Sequence, residues 1–539
     1  MKNKIVSLFL TAVMLTAMAF PSNAYAEEDY VNQQTNATQE ADADPVTQAE
    51  GKTIYANGNS GVGSDSNPGT EAEPVSSLKK AVELAGENGT VIILDTVYIR
   101  EPTVLDNNVT IKRGGTCDVG MIYLGQSSLT INNATIDGNK EEYPTTAQLI
   151  AIYGAPTLTI NEGAKICNQG GYFIQQVMAS GSGPVVTMNG GEIYNIDVSK
   201  SNYKAVIYYA QQKGSFYMKG GSIHDNKGGA LDIGVPTFEM TGGKIYNNIN
   251  TGEAFGGIYF RGGKNSGFIS GGEIYGNKSK YGAGIHINGQ ATLTIKDQAS
   301  IHDNTATSSG GGVYAEYGKL IMEGGRIYNN QAATYGGAIY LWNHKDYLDG
   351  NEALRSRAAI SGGTIEGNND GTSPSGIDFY EDIDKVTNKP VGPPILELSG
   401  SPTIKDPILI NDTQDTTSKV DIVGTFTPTQ PVPIYDWRWE DNRVIVSYKA
   451  GLTPNKEDFV KFNKTRTQDI KLVGQDLVSI NITIPSYNIV FKEQDSTTKY
   501  KEITVYENDL IDSKSAPQPT KAGYVLSGWK TAAKNWDFT

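Results

Sequence analysis

The feature that most constrains the fold is a motif that recurs along the middle of the chain. It consists of two glycines, one variable residue, an isoleucine, and an asparagine three positions after that isoleucine, and most copies are spaced by 22 to 30 residues. A fixed period of this length is typical of repeat architectures, in which each repeat is one structural unit. The asparagines are Asn226, Asn248, Asn277, Asn304, Asn330 and Asn368, with an earlier copy at Ile136 and Asn139, and the copy that ends at Asn304 has Ala299-Ser300-Ile301 where a diglycine is missing.

Each repeat contains three short stretches that resemble strands. One carries the isoleucine of the motif, the second follows a small residue and a glycine, as in GGIYF and AGIHI, and the third leads into the next diglycine, as in FEMTGG and LIMEGG. No helical period separates them. Leucine-rich repeats would need a leucine lattice, and propeller blades a period of about 40 residues or more. We therefore predict an all-β chain that folds as a parallel β-helix, with three strands in each coil.

Pleating divides the side chains of each strand between the two faces of a sheet. Ile258 and Phe260 are expected to stack in a narrow core about 4.8 Å from the next coil, and Tyr259 between them is expected to face solvent. Glycines at the corners permit positive φ angles, and the asparagines of the motif can hydrogen-bond from coil to coil. The sequence thus predicts an internal column of isoleucines beside an external row of other side chains.

A stack of coils has two open ends, so caps are expected. Upstream, Ser76 or Ser77 can begin a short helix that ends at Gly86, followed by a buried strand over residues 91–94. The helix would bury a face formed by Leu78, Ala81, Val82 and Ala85. Downstream, residues 395–484 lose the diglycines but keep strand-like runs, which predicts the last coils and a β-rich cap.

The segment IYANGNSGVGSDSNPGTEAEPVSSLKKAVELA, the strand GTVIIL and the repeated coils together resemble one known group of proteins. It is the pectate-lyase-like superfamily of right-handed β-helices, and in particular its surface-protein branch with polymorphic-outer-membrane-protein-like repeats. The resemblance covers about residues 51–484. It implies a right-handed β-helix and leaves the chemistry open, because that superfamily includes lyases, hydrolases, adhesins and inert stalks.

The ends of the chain differ from its middle. Residues 1–26 have Lys2 and Lys4, an apolar run and a small-x-small site ending at Ala26, which predicts a secretory signal peptide. Residues 27–50 are acidic and polar, which predicts a disordered leader. Residues 51–484 form the β-helix with its caps, and residues 485–539 form a separate module.

The last segment resembles a Listeria–Bacteroides repeat, a small β-grasp-like module found in tandem on Gram-positive surface proteins. The matching positions are Val490, Phe491, Pro519, Gly523–Tyr524, Gly528–Trp529 and Trp536–Phe538. The Asn-Gly-Gly turn of that family is replaced by KEQDSTTK, so the module is partial. Together with the signal peptide, this resemblance implies a secreted protein on the cell surface or cell wall of a Gram-positive bacterium.

Charge, hydropathy and cysteine content exclude several classes of protein and of binding site. The net charge is −14, or about −16 without the two signal lysines, which repels nucleic acid. After the signal, no run of about 18 apolar residues would embed the chain in a membrane. Cys117 and Cys167 are the only cysteines, too few for a disulfide framework or a thiolate metal site. The repeat places them about two coils apart, which argues against a bridge between them.

The outward residue of the second strand changes from coil to coil between aromatic and polar types. A column of this kind can offer stacking faces and hydrogen bonds to a sugar chain, although tyrosines also simply cover a pleated face. The column is Tyr208, Asp232, Tyr259, His286, Tyr314, Tyr340 and Asp378. We predict that a polysaccharide or glycoprotein, on a host or cell-wall surface, contacts Tyr259, His286, Tyr314, Glu316, Tyr340 and Asp378. Another set of stacked residues follows the isoleucine of the motif and is too regular to suggest a site. It consists of Tyr194, His224, Tyr246, Tyr275, His302 and Tyr328.

An enzymatic alternative depends on the acidic run IDFYEDID. If the chain is an enzyme, its acids are expected to be Asp378, Glu381 and Asp382, with Asp384, Glu366 or Glu316 nearby. Such acids are otherwise solvated surface residues or a Ca²⁺ site, and Ca²⁺ is the one cofactor left open. Asp232 and Asp378 are five coils, about 24 Å, apart and cannot act as a pair.

Basic residues and histidines give no support to catalysis. Arg261 and Arg326 have no aspartate beside them in the same coil, and a Gly-His-Gly turn is absent. The sequence therefore favours an adhesin or structural stalk, with a glycoside hydrolase or polysaccharide lyase as the alternative.

Overall fold

Three long sheets of parallel strands wind into a β-helix of about 12 turns. The computed structural model describes residues 51–506 except for short gaps, and all of them belong to the unit Glu50–Thr539. The gaps are residues 118–119, 210–211, 252–254, 264, 344–353, 372–375, 382, 385–388, 391, 411–417, 438–439, 463–467, 483–485 and 493–498. The predicted all-β, right-handed parallel β-helix class is confirmed.

The three sheets correspond to the three predicted strands of the repeat. Sheet A contains the isoleucine strands: Thr53–Asn57, Thr90–Asp95, Val109–Arg113, Ala134–Asp137, Lys165–Cys167, Glu192–Tyr194, Ser222–His224, Lys244–Tyr246, Glu273–Tyr275, Ser300–His302, Arg326–Tyr328, Thr364–Glu366 and Thr403–Ile404. Sheet B contains the strands after the small-glycine pair: Val97–Ile99, Ile122–Leu124, Ile150–Gly154, Ile174–Ala179, Ala205–Tyr209, Gly229–Ile233, Ile258–Arg261, Ile285–Asn288, Val313–Glu316, Ile339–Asn343, Ile377–Glu381, Ile408–Ile410, Val432–Asp436 and Phe459–Lys461. Sheet C contains the strands before the next diglycine: Thr103–Leu105, Ser128–Ile131, Thr157–Ile160, Val185–Met188, Ser215–Met218, Thr237–Met240, Ser266–Ile269, Thr292–Ile295, Lys319–Met322, Arg357–Ile360, Ile395–Gly400, Val420–Phe426, Val444–Tyr448, Asp476–Asn481 and Gln468–Val473.

The isoleucines of the motif form one continuous internal column. Each pairs in register with the isoleucine of the next coil, and all are at most 1% exposed. The column is Ile193, Ile223, Ile245, Ile274, Ile301, Ile327 and Ile365. The apolar side chains of sheets B and C meet it in a single core, as pleating and the period of the repeat predict.

Beside this column, the asparagines of the motif form a buried ladder. The side-chain Nδ2 of Asn277 donates to Oδ1 of Asn304 at 3.0 Å and to the carbonyl of Ile245 at 2.9 Å. The same pattern repeats in the neighbouring coils, so both the amide oxygen and the amide N–H groups are satisfied away from water. The predicted hydrogen bonding from coil to coil is therefore confirmed.

A fourth, shorter sheet is an addition that the three-strand prediction missed. Sheet D lies along the chain between the strands of sheets A and B. Its strands are Lys278–Tyr281, Thr305–Ser309, Gln331–Ala332 and Asn369–Asp370. A small separate core of Ala283, Ala306 and Ala332 packs there, and these small residues let the chain approach the β-helix closely.

Both ends carry the elements expected from the sequence. The helix Leu78–Ala85 begins after Ser77, whose side chain accepts a hydrogen bond from Lys80 N, and ends before Gly86, which has a φ of 70°. It buries Leu78, Ala81 and Ala85, with Val82 partly buried against the core. At the other end, two antiparallel strands of sheet C, Gln468–Val473 and Asp476–Asn481, follow the last parallel strand. A 3₁₀ turn spans Lys456–Asp458.

The two cysteines and two antiparallel strand pairs lie apart from the repeated motif. Cys117 and Cys167 are both buried, and no disulfide joins them, as their predicted separation implies. Two further antiparallel pairs occur: Ile383–Asp384 with Lys389–Pro390, and Ser486–Lys492 with Lys499–Tyr506. The strand predicted around Val490 and Phe491 is present, whereas the landmarks from Pro519 to Phe538 lie outside the described residues, as do the signal peptide and the leader.

Candidate functional site

The column predicted on the second strand has the expected register. Its members pair one with the next in neighbouring strands of sheet B, from Tyr208 through Asp232, Tyr259, His286, Tyr314 and Tyr340 to Asp378. Asp232 and Asp378 are five coils apart, as predicted. We refer to this set of residues as the first column.

The predicted exposure of the first column is wrong. Tyr314 is 2% exposed, His286 3% and Asp378 0%, and of the six residues proposed to bind a ligand only Tyr259 and Glu316 are half-buried. The first column therefore cannot be the open sugar-binding row that alternation alone suggested.

The cause is the chain segment that precedes each strand of sheet B. It folds back over the strand, so that Tyr203 stacks on Tyr208 at 3.9 Å and Tyr335 stacks on Tyr340 at 5.6 Å. Gly310 shows how close this approach is, because a β-carbon built there would lie 2.7 Å from Cβ of Tyr314. Tyr203 and Tyr335 each stand five positions before the column residue that they cover, and this spacing is the sequence signal that could have predicted the burial.

A second column lies two residues further along the same strands and on the same face. It consists of Arg261, Asn288, Glu316, Trp342 and Tyr380, all half-buried. Arg261 pairs with Asn288, and Glu316 pairs with Trp342, which pairs with Tyr380. Only Glu316 of this column was proposed to bind a ligand. The period of two along a strand would have identified the other four.

Polar contacts link the two columns at the centre of this face. Asn288 Nδ2 donates to Glu316 Oε2 at 2.9 Å, and the same carboxylate oxygen lies 3.4 Å from Nε2 of His286. The His286 ring sits between Tyr259 at 4.8 Å and Tyr314 at 4.6 Å, and neither ring nitrogen has a hydrogen-bond partner in the described part of the chain. Glu316, with 19% of its side chain exposed, is the group that can meet a ligand here.

Asp378, at the other end of the first column, is buried without a counter-charge. Among the described residues neither carboxyl oxygen has a side-chain hydrogen-bond partner, and the backbone of Phe379 is the one group that favours its ionised form. Burial, and next the nearby Asp370, hold the pKa of Asp378 well above its usual range. A carboxyl group that is fully buried cannot contact a ligand in solution.

The acidic cluster predicted around Asp378 is not assembled by the described residues. Glu366 belongs to sheet A, where it pairs with Arg326 and Lys405, both at 2.7 Å. Glu316 lies two coils away from Asp378 along sheet B, about 10 Å by the coil spacing. Glu381 ends its strand with a side chain that is not described, and Asp382 lies outside the described residues.

An ion pair was missed at the other end of this face. Arg261 Nε and Nη2 donate to the two carboxylate oxygens of Asp232, at 2.7 and 3.0 Å. The guanidinium also lies 5.7 Å from the ring centre of Tyr208 and 5.3 Å from that of Tyr259. Burial raises the pKa of Asp232 to about 6, although Arg261 acts in the opposite direction. The search for an aspartate within the same coil overlooked a partner in the preceding coil.

The regular column on sheet A is a stack of rings that contact one another face to face. Neighbouring ring centres are 4.6 to 5.5 Å apart, and the planes differ by 1 to 11°. Tyr194, His224, Tyr246, Tyr275, His302 and Tyr328 form this stack. Because the rings use their faces on each other, they offer edges rather than platforms, which makes this column a suitable control for the face of sheet B.

The described residues contain neither a cluster suited to a metal ion nor a helix that could span a membrane. No three His, Cys, Asp or Glu side chains in this part of the chain are grouped so that they could hold a metal ion. None of its helices is both long and apolar enough to cross a membrane. Comparison of the chain with protein-family models, with curated proteins and with solved structures finds no match.

Proposed function

We propose that this chain is an exported surface protein whose β-helix acts as an adhesin or stalk and binds a polysaccharide or the glycan of a glycoprotein. The ligand would lie along the second column, on the outer face of sheet B. A host or cell-wall surface would supply it, and the resemblance to surface β-helices and to a Gram-positive repeat module supports that location. Repeated coils give such a protein length and a long continuous face.

One observation carries the proposal. Half-buried Trp342 and Tyr380 continue the column of Glu316, Asn288 and Arg261, so that rings and hydrogen-bonding groups succeed one another coil by coil on one face. Sugars bind to proteins through such a combination of apolar ring contacts and placed polar groups. Sheet A offers a ring stack, and the outward positions of sheet C alternate with buried ones and mix polar residues such as Thr294 with apolar ones such as Ile321.

The test is retention of the chain on an array of polysaccharides and matrix glycans. Trp342→Ala and Glu316→Gln should each reduce retention at least tenfold, because one removes a ring contact and the other a charged acceptor. Tyr275→Ala, in the ring stack of sheet A, is the matched control and should retain the wild-type level. Equal loss in the control, or no loss in the other two, would exclude the second column as the binding face.

A carbohydrate-active enzyme, either a glycoside hydrolase or a polysaccharide lyase, is the second candidate. The observation that favours it is that two carboxyl groups, Asp378 and Glu316, lie on the same face and that burial raises the pKa of Asp378, since hydrolysis usually needs an acid and a base on two carboxyl groups. The burial of Asp378 opposes it, because a general acid must reach the substrate. Release of reducing ends or unsaturated sugars by the wild-type chain, lost in Asp378→Asn, would establish this candidate in place of an adhesin.

A further inference from the structure

A pocket of about 190 Å³ lies at the Arg261 end of the second column, and its lining differs from the rest of that face. Its walls are Asn202, Tyr203, Lys204, Asp232, Phe255, Tyr259 and Arg261. The volume is below the ~300–1,000 Å³ that is usual for sites that hold drug-sized ligands. The pocket therefore suits one small ring rather than a length of chain.

The guanidinium of Arg261 is fixed in this pocket with part of its donor capacity unused. Nε and Nη2 donate to the carboxylate of Asp232, which is 3% exposed, so two hydrogen bonds to a buried residue fix the orientation of the guanidinium plane. Nη1 carries two further N–H groups, and these have no partner in the described part of the chain. A planar guanidinium that is already immobilised loses little freedom when its free edge binds an oxyanion.

The charge of the lining is positive. Lys204 and Arg261 are opposed by Asp232 alone, which leaves a net charge of +1 at a small site on a chain whose total is −14. Lys204 donates one hydrogen bond from Nζ to the carbonyl of Ser199, and an ammonium has three such donors. The pocket thus attracts an anion locally, although the protein as a whole repels one.

Aromatic side chains complete the pocket. Tyr203 is 44% exposed and rests on Tyr208, with ring centres 3.9 Å apart and planes within 11°. Phe255 is buried and stacks on Tyr259 at 5.1 Å. An exposed ring held flat by a ring behind it is a rigid apolar surface for the face of a sugar.

We propose that this pocket binds one acidic sugar unit, with its carboxylate or sulfate on Arg261 Nη1 and Lys204 Nζ and its ring against Tyr203. The inference rests on the proposed function and narrows it, because the glycan that the β-helix binds would be one that carries anionic groups. Asp232 acts as a positioning residue, since it holds the guanidinium and does not contact the sugar.

The experiment is calorimetric titration of the whole chain with three monosaccharide probes: methyl glucuronide, glucose 6-sulfate and methyl glucoside. We expect at least tenfold tighter binding of one or both acidic probes than of the neutral glucoside, and the two acidic probes distinguish a carboxylate from a sulfate ligand. Equal affinities for all three probes would overturn the proposal.

Two variants localise the effect. Arg261→Gln alone would leave Asp232 buried without a partner, so the double variant Asp232→Asn with Arg261→Gln is used, which replaces the ion pair by a neutral amide pair. It should bind acidic and neutral probes equally, and Lys204→Gln should weaken acidic binding about threefold. Unchanged preference for acidic probes in the double variant, with an unfolding midpoint like that of the wild type, would also overturn the proposal.

Retention of polysaccharides by the same preparation distinguishes failure of the acidic preference from failure of the proposed function. Retention of neutral and acidic polysaccharides to the same extent would overturn the acidic preference and leave the proposed function standing. Absence of retention on any polysaccharide or glycan would overturn the proposed function itself.

Discussion

Asn368 Nδ2 donates a hydrogen bond to Oδ2 of Asp406 at 2.7 Å, and this bond ends the asparagine ladder. Each asparagine of the ladder donates from its side-chain amide to the isoleucine carbonyl of the preceding coil and to an oxygen of the next coil, so the last one needs an acceptor beyond it. Asp406 supplies it, and its other oxygen accepts from Gly367 N at 2.7 Å. The side-chain hydrogen bonds of the ladder thus all run in one direction. They end at Asp406, which in its ionised form accepts hydrogen bonds and donates none.

The ladder should be a major source of stability in each coil. Asn277→Ala removes the acceptor of both the backbone N–H and the side chain of Asn248, and it leaves the carbonyl of Ile245 without its donor. Buried polar groups without partners cost about 1–3 kcal/mol each. We expect a loss of about 3 kcal/mol or more in the apparent free energy of unfolding, measured by urea titration.

The matched control for this prediction is Asn288→Ala on the half-buried face of sheet B. Asn288 makes a single side-chain bond, to Glu316, and solvent can replace it. We expect a loss below about 1 kcal/mol. Similar losses at the two asparagines would mean that the ladder contributes no more than a surface hydrogen bond.

The end of the ladder should make stability depend on pH. Burial raises the pKa of Asp406 above its ordinary value of about 3.9, although hydrogen bonds from Asn368 and Gly367 act against this. The folded chain therefore binds this proton more tightly than the unfolded chain, and its contribution to stability declines as the pH rises from about 3.9 through the folded pKa.

The variant Asp406→Asn isolates this contribution, because an amide does not titrate in this range. We expect the difference between the unfolding temperature of Asp406→Asn and that of the wild type to shift in favour of the variant as the pH is raised from 3.5 to 7. Paired thermal melts at each pH cancel the other titrating groups. A constant difference between the two chains across this range would show that the carboxyl titrates normally.

The parts of the fold that depend on pleating and period could be predicted from the sequence. The isoleucine column, the ladder and the register of the first column follow from alternation along a strand and from stacking at one-coil intervals. Burial of the first column could not be predicted in the same way. It depends on the path of the segment before each strand of sheet B, which places Tyr203 and Tyr335 over their neighbours.

Contacts between coils explain the other missed features. Arg261 meets Asp232 only because one coil brings them together with an offset of two residues, so a search for both in the same coil fails. Trp342 and Tyr380 follow from the same offset once Glu316 is taken as a reference. Their half-exposure again depends on the covering segment, which reaches the first column and leaves the second less covered.

The covering segment should be sensitive to its glycines. Gly310 has a φ of 69°, and a β-carbon there would lie 2.7 Å from Cβ of Tyr314. A left-handed conformation costs a residue with a β-carbon about 1–2 kcal/mol, and the overlap adds to that cost. Gly310→Ala should therefore lower the apparent free energy of unfolding by about 2–4 kcal/mol in a urea titration.

Gly263→Ala is the control, because nothing lies within 4 Å of the β-carbon it would add. It should change the free energy of unfolding by less than about 1 kcal/mol. If Gly310→Ala proved as mild as this control, the segment would have to be loosely packed on sheet B, and the burial of Tyr314 would need another cause.

His286 allows stability and binding to be separated on the proposed binding face. Its two ring nitrogens are buried without hydrogen-bond partners in the described residues, between the rings of Tyr259 and Tyr314. A phenylalanine has a similar shape and no polar atoms to leave unsatisfied, so His286→Phe should raise the free energy of unfolding by about 1–2 kcal/mol. The same change replaces a polar ring edge 3.4 Å from the Glu316 carboxylate by an apolar one, and it should weaken glycan retention several-fold because the carboxylate then lies against a less polar surface. His302→Phe in the ring stack of sheet A, where Nδ1 bonds to Asp303, should leave retention unchanged. A His286→Phe chain that is more stable and retains glycans like the wild type would show that His286 has no part in holding Glu316 for the ligand.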